Sequence, residues 1–475
     1  DGGTQHLWVM NTAAHHNLSP ASFRDPAGCV VYQDGVLKRL VTAEGIGDYR
    51  RLMSSGLYER LIGEGLLIPH REEAASSSWP DGAQSVLIPE VVPFISYPYE
   101  WSFGQLKDAA MLTLRVAELA LAHGMSLKDA SAFNVQFRGC RPVFIDTLSF
   151  ERNDGGPWPA YNQFCRHFLA PLLLMKYAWP GLASYWRGSL DGFPLDFASA
   201  LLPVATYLRF GSLLHIHMHA RSQRKHADPA AGQREIAARL PGGRDPKGPL
   251  IGSLRATVEN MKPRAFKTEW SGYYAEANHY SKDAGEAKRA GVAEAVERIK
   301  PRLVYDLGGN TGEFSSLVTR LGVDCVCFDA DPLCVHANYE RSKREGDIHM
   351  LPLVMDLSNP TPGLGFDLRE RLSLFERPQA ELLLALALIH HLRITWNVPF
   401  RRIAGFLARL GSHLLLEWVP KDDPKVRAML SCRKDTFPDY SPEGFLAAFG
   451  EHFEVERAHP IAGSPRTLYL FRRRP

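Results

Sequence analysis

The sequence predicts an α/β protein in two parts, a C-terminal doubly wound sheet of seven strands preceded by a smaller α+β unit. Three observations predict it. Apolar Leu303, Val304 and Tyr305 run straight into Asp306-Leu-Gly-Gly-Asn-Thr-Gly312, and Phe314 to Leu321 continues as a helix, so a strand, a glycine turn and a helix follow one another. A second apolar stretch, Val323 to Phe328, ends at Asp329-Ala-Asp331, an acid about 20 residues after the turn, as a doubly wound nucleotide site requires. Near the N-terminus, Gly28 to Gln33 and Val36 to Val41 flank Asp34-Gly35, a dipeptide that closes tight hairpins.

From the hairpin onward, the pattern predicts a helix over Tyr49 to Glu64, a loop over Glu72 to Gln84 and a strand over Val86 to Tyr99. Asp129-Ala-Ser-Ala-Phe-Asn134 then precedes strands at Val135 to Phe137 and Val143-Phe-Ile-Asp146. Phosphoryl transfer needs one carboxylate to accept the substrate proton, with an Asn and a second carboxylate holding Mg²⁺ on the phosphates. The stretch resembles a protein-kinase catalytic loop and its metal-binding strand, which implies Asp129 as that base, Asn134 and Asp146 as the metal ligands, and Lys38 or Arg39 as the cation at the phosphates. Taken singly, Asp129 and Asn134 also suit a helix cap and a turn. His215, His217 and His219 alternate, but no Cys or carboxylate lies near them to complete a metal site.

Arg221 to Pro249 is rich in Ala, Gly, Pro and charge and reads as a linker with some helix from Gln233 to Arg239. The expected division is a tail over 1–20, a first domain over 21–220, a linker over 221–263 and a second domain over 264–475. Glu269-Trp-Ser-Gly-Tyr-Tyr274 and Asn278-His-Tyr280 lead into a helix at Ala284 to Ile299; Trp270 and Tyr274 either fold over a cofactor or pack the linker on the sheet. Further strands are expected at Leu351 to Met355, closing on Asp356, and at Glu381 to Ile389, an apolar run suited to a central parallel strand that delivers His390 and His391 to the carboxyl edge. Ser412 to Trp418 carries Glu417, and Phe453 to Ala458 with Thr467 to Phe471 closes the sheet as a hairpin.

The glycine spacing separates two cofactors. No frame of Gly308, Gly309 and Gly312 gives the Gly-x-Gly-x-x-Gly of dinucleotide sites. Asp306, Gly308 and Gly312 instead give acidic-x-Gly-x-x-x-Gly, which resembles the first motif of class I S-adenosylmethionine-dependent methyltransferases with their Rossmann-like sheet. The resemblance implies that Asp306, Gly308, Gly309, Asn310, Gly312, Asp329 and Asp356 bind S-adenosylmethionine. Methyl transfer to oxygen needs a base of near-neutral pKa, and His390 or His391 is placed for it, or for structural hydrogen bonding.

The first half resembles the kinase-like fold of the aminoglycoside-phosphotransferase type, which implies ATP and Mg²⁺ with Lys38 at the phosphates. It departs from that pattern: Leu127 and Lys128 replace the His and Arg before the catalytic Asp, Thr147 and Leu148 follow Asp146 in place of Phe-Gly, and Arg24 to Gly28 is a poor glycine-rich loop. The pairing is similar to bifunctional kinase–methyltransferases acting on bacterial surface polysaccharide. Ser96-Tyr-Pro-Tyr-Glu-Trp101 and Leu127-Lys-Asp-Ala-Ser131 resemble a bacterial methyltransferase family that includes nodulation proteins. These resemblances imply a methyltransferase fused to a kinase-like domain, with a glycan or small-molecule acceptor. The alternative is a first half that is a non-catalytic pseudokinase holding substrate or nucleotide.

At 475 residues the chain exceeds one hydrophobic core. Its 55 Lys and Arg against 52 acids leave no basic excess for nucleic acid. Seven scattered cysteines without metal spacing fit a reducing bacterial cytoplasm. No apolar run reaches the roughly 18 residues of a spanning helix, and Asp1 to Ser19 lacks the regions of a signal peptide.

Overall fold

A computed structural model describes residues 17–74, 79, 82–225, 229–240, 245–268, 282–431 and 434–475. The expected loop residues Ser76 to Ser78 and the aromatic lead-in from Glu269 to Tyr280, with Trp270 and Tyr274, lie outside them.

The first half opens with an antiparallel sheet of β1 (Asn17–Leu18), β2 (Gly28–Gln33), β3 (Val36–Val41), β4 (His70–Ala74) and β5 (Ser85–Pro89), ordered β1-β2-β3-β5-β4. The Asp34-Gly35 turn has both residues at positive φ, as a tight hairpin requires. The helix expected over Tyr49 to Glu64 is two helices, Ile46–Ser54 and Leu57–Gly63, because Gly56 adopts φ +77 between them. The strand expected from Val86 to Tyr99 stops at Pro89, since Pro89, Pro93 and Pro98 remove the N–H groups a ladder needs. The helix Phe103–Ala122 follows, then β6 (Met125–Leu127), β7 (Val135–Arg138), β8 (Arg141–Phe144) and β9 (Phe150–Arg152), with β6 pairing β9 and β7 pairing β8.

The second half is one seven-stranded sheet: β10 (Leu303–Leu307), β11 (Asp324–Asp329), β12 (Met350–Val354), β13 (Ala380–Ala385), β14 (Gly411–Trp418), β15 (Phe453–Pro460) and β16 (Thr467–Arg473). The order is β12-β11-β10-β13-β14-β16-β15, parallel except for β16, which runs antiparallel to both neighbours. This is the seven-stranded, mostly parallel sheet that the sequence predicts. It reverses direction between β10 and β13, and ligands bind at such a switch point.

The stretch read as a linker departs most from expectation. It contains the helix Lys247–Glu259, whose Leu250, Ile251, Leu254 and Val258 are buried at helical spacing on one face. The halves are also joined more firmly than a linker implies. Edge strand β12 is covered by the first half: Gln105 Nε2 donates to the Pro352 carbonyl at 2.9 Å and Cys140 Sγ to the Met350 carbonyl at 3.3 Å. Arg377 forms a bidentate pair with Glu100 at 2.9 and 2.7 Å, both side chains fully buried, and Thr361 Oγ1 donates to the same carboxylate. One continuous apolar core draws residues from both halves.

Candidate functional site

The glycine turn is shaped by close approaches. Gly308 and Gly312 sit at φ +76 and +75, and Asn310 between them at +50. A Cβ on Gly309 would lie 2.5 Å from Cys327 Sγ and 2.8 Å from Asp306 Oδ2, and one on Gly312 would lie 2.3 Å from Asn338 Nδ2, so glycine is required at both. Asp306 is buried beneath the turn, where its Oδ2 accepts from Ser315 Oγ at 2.6 Å and anchors the helix Glu313–Arg320. Burial pushes its carboxyl up to about 6, against the pull of the Ser315 hydrogen bond and Lys288. The structure thus gives Asp306 a supporting position under the turn.

Asp329 lies beside the turn. Its Oδ2 accepts from the Asn310 N–H and its Oδ1 from the Asp331 N–H, both at 2.8 Å, and burial again pushes the carboxyl up to about 6. Each oxygen keeps a second lone pair for a hydroxyl donor. Asp331 caps the helix Pro332–Glu345 through Oδ1, while its Oδ2 is buried without a hydrogen-bond partner among the described residues. Asp356, just past β12, accepts from the Ser358 N–H and hydroxyl. A glycine-rich cradle, an ionisable diol acceptor and a second carboxylate beside it fit the ribose and amino-acid parts of S-adenosylmethionine.

His390 and His391 correct the sequence reading. β13 ends at Ala385, Ala387 turns the chain at φ +50, and His391 opens a wide helical turn through Thr395. The histidines therefore stand five and six residues beyond the strand, their rings 4.2 Å apart. Burial pushes His391 down to about 4 and lowers His390 well below the ordinary imidazole range, with His391 and then Arg466, Lys425 and Lys288 adding to the effect on His390. A base of near-neutral pKa is not what this environment makes. Beside them runs a buried charge network that the sequence did not suggest: Lys288 to Glu417 at 2.7 Å, and Arg466 to both Glu417 and Asp423 at 3.1 and 2.8 Å.

In the first half, Asp129, Asn134 and Asp146 do come together, across the loop between β6 and β7 and the end of β8. Burial, then the nearby Asp146 carboxylate, raises the Asp129 pKa. Asn134 Nδ2 donates to Ser149 Oγ at 3.2 Å, and Ser149 Oγ to Asp146 Oδ2 at 2.6 Å. Of the two cations offered for the phosphates, Arg39 and not Lys38 is turned toward this cluster. Lys38 and Arg39 point to opposite faces of β3; Lys38 pairs with Glu73 at 2.9 Å, away from the carboxylates. Arg39 reaches Asp146 Oδ1 at 2.8 Å and Asp25 at 3.2 Å. Asp146 is thereby satisfied by a guanidinium, a hydroxyl and the Leu148 N–H, and a second cation would meet the charge of the first. As arranged, these residues do not fit Mg²⁺. Among the described residues, no group of three or more His, Cys, Asp or Glu is placed to hold a metal.

The three alternating histidines are structural. His215 bridges Tyr161 and Ser253, His217 bridges Ser199 and Thr206, and His219 stacks on Tyr161 at 4.5 Å.

No protein-family model matches the chain. It is 36% identical over 466 residues, 95% of each chain, to the nodulation protein NoeA of Rhizobium meliloti strain 1021. Among solved structures, magnesium protoporphyrin IX methyltransferase from Synechocystis PCC 6803 matches 42% of this chain and 86% of its own at 15% identity and TM-score 0.30. The bifunctional kinase-methyltransferase WbdD matches 46% and 44% at 13% identity and TM-score 0.30. The N-methyltransferase NodS of Bradyrhizobium japonicum WM9 matches 41% and 99% at 10% identity and TM-score 0.31. Scores of that size add nothing to the strand order itself.

Proposed function

We propose, for a chain that belongs to the family of the nodulation protein NoeA, that the second half transfers a methyl group from S-adenosylmethionine to an oxygen of a glycan or related small-molecule acceptor. Asp329 carries the reading. Its two oxygens, each steadied by one main-chain N–H, stand beside a turn that holds glycine at 308, 309 and 312, at the switch point of the sheet. S-Adenosylmethionine would supply an activated methyl group, and the protein's part is to align donor and acceptor. Gly308 to Gly312 admit the ligand to the main chain, Asp329 and Asp331 accept hydrogen bonds from its hydroxyl and amino groups, and Asp356 is available to the adenine amino group. With His390 and His391 held neutral, they orient the acceptor or the walls around it. The proposed setting is the bacterial cytoplasm; among the described residues no helix is long and apolar enough to cross a membrane.

The same proposal reads the first half as a kinase-like module that binds without phosphoryl transfer. The helices between β3 and β4, the β6/β9 pair and the β7/β8 hairpin separating Asn134 from Asp146 support the kinase-like reading. The Arg39–Asp146 pair speaks against catalysis.

Calorimetric titration of the full chain with S-adenosylmethionine tests the reading. Hydrogen bonds to a charged group contribute about 1.5–3 kcal/mol each, so Asp329→Ala should weaken binding by about tenfold or more. Equal affinity in a folded variant refutes the assignment. The full chain is needed because Tyr339 and Met350 of the second half are buried against the first.

A further inference from the structure

Away from both sites, a cleft of about 630 Å³ opens between the helices Ala170–Tyr177 and Lys247–Glu259 and the short helix Phe210–Ser212. That volume is in the range that takes a small organic ligand. Leu173, Tyr177, Phe210, Leu240, Pro249 and Met261 make its wall apolar. Gly252 also lines it, from the interior of a helix, where glycine is the poorest former after proline. A Cβ there would meet nothing within 4 Å among the described residues, so their packing does not require the glycine. Its missing side chain widens the cleft.

Two cations stand in the same cleft. Lys176 Nζ and the Arg209 guanidinium lie 5.3 and 6.0 Å from the centre of the Tyr177 ring. Neither has a carboxylate within ion-pair distance among the described residues. Burial, then the charges of Arg209 and Lys107, lowers the pKa of Lys176, as expected where like charges gather without an acid. The turn leading into Arg209 leaves Val204 83% and Leu208 90% exposed.

An apolar slot with uncompensated positive charge is complementary to a molecule with an alkyl tail and a negative head. We infer that the cleft binds a single-chain anionic amphiphile, its chain along Leu173, Gly252 and Met261 and its head at Lys176 and Arg209. The inference is independent of the methyl-transfer reading.

The test is calorimetric titration of the full chain with dodecanoate below its micelle concentration, beside dodecyl maltoside and anionic phospholipid vesicles. Dodecanoate should bind one molecule per chain and dodecyl maltoside at least about tenfold more weakly. Gly252→Leu should fill the cleft and abolish binding while keeping or raising the melting temperature, because leucine is the better helix former. Lys176→Gln with Arg209→Gln should reduce dodecanoate to the affinity of the uncharged probe. The inference is overturned if wild-type protein binds no dodecanoate, if Gly252→Leu binds as wild type, if the uncharged probe binds equally well, or if only the vesicles associate.

Discussion

Asp329 and Asp146 are both strand-end aspartates picked out by spacing as ligand groups, and both are poorly exposed, yet their neighbours differ in charge. Asp329 is met by two neutral main-chain N–H groups, and burial leaves it with a pKa pushed up to about 6. Asp146 is met by the Arg39 guanidinium at 2.8 Å. One carboxylate has acceptor capacity and no counter-charge, so a ligand gains by arriving there. The other already has its cation, so a metal would first have to displace an arginine. The same residue type at the same kind of position is left open to a ligand in one half and is paired with an arginine in the other.

The contrast can be broken or sharpened by experiment. The largest effect is expected where the halves meet. Removing one partner of a fully buried ion pair costs about 3–5 kcal/mol, so Glu100→Ala should lower full-chain stability in urea by that amount and still give a single transition; two separate transitions would mean that the halves fold as independent sites.

Next comes the pH dependence of stability. Burial pushes His167 and His215 down to about 3 and His219 to about 4, from an unfolded value near 6.5. A depressed folded pKa means stability present above pH 6.5 and lost as pH falls toward the folded value, since the unfolded chain then binds more protons. Each of the three should cost roughly 2 kcal/mol between pH 6.5 and 5, at about 1.4 kcal/mol per unit. Asp306 and Asp329 work oppositely: raised to about 6, they contribute stability that is lost as pH rises through 6. The net expectation is a decline below pH 6.5, measured from urea midpoints, with a shallower slope in His215→Gln. A flat profile would contradict neutral burial of the histidines.

A smaller effect concerns the cofactor. If ionised Asp329 receives the ribose, affinity for S-adenosylmethionine should fall by up to about tenfold per pH unit below 6, and Asp329→Asn should flatten that dependence. The smallest expected effect is nil. ATP should give no Mg²⁺-dependent rise in melting temperature, because Asp146 is already paired; a rise that Asp146→Ala abolishes would restore the phosphotransferase reading.

Much of the second half was legible. The glycine turn, Asp329 and the strands from Leu303 to Phe471 follow from local alternation and from glycines needed at positive φ, and the strand ends fell within a few residues. His390 and His391 were misplaced because an apolar run does not reveal where Ala387 turns the chain, nor that burial removes their basicity. In the first half, the β2–β3 hairpin and the cluster of Asp129, Asn134 and Asp146 were legible. The choice of Lys38 over Arg39 was not, because it rests on which face of β3 meets the β8 end.

What the sequence by itself determined is what short-range physics encodes: hydrophobic period, turn chemistry, and the two carboxylate motifs with their spacing. Only the tertiary structure decided that Arg39 neutralises Asp146, that the histidines are buried neutral, that Lys247–Glu259 is a packed helix and that Gln105, Glu100 and Cys140 weld the halves along β12. Those outcomes depend on charges and apolar surfaces brought together from up to hundreds of residues apart, and a carboxylate's availability is set by such neighbours through desolvation and ion pairing.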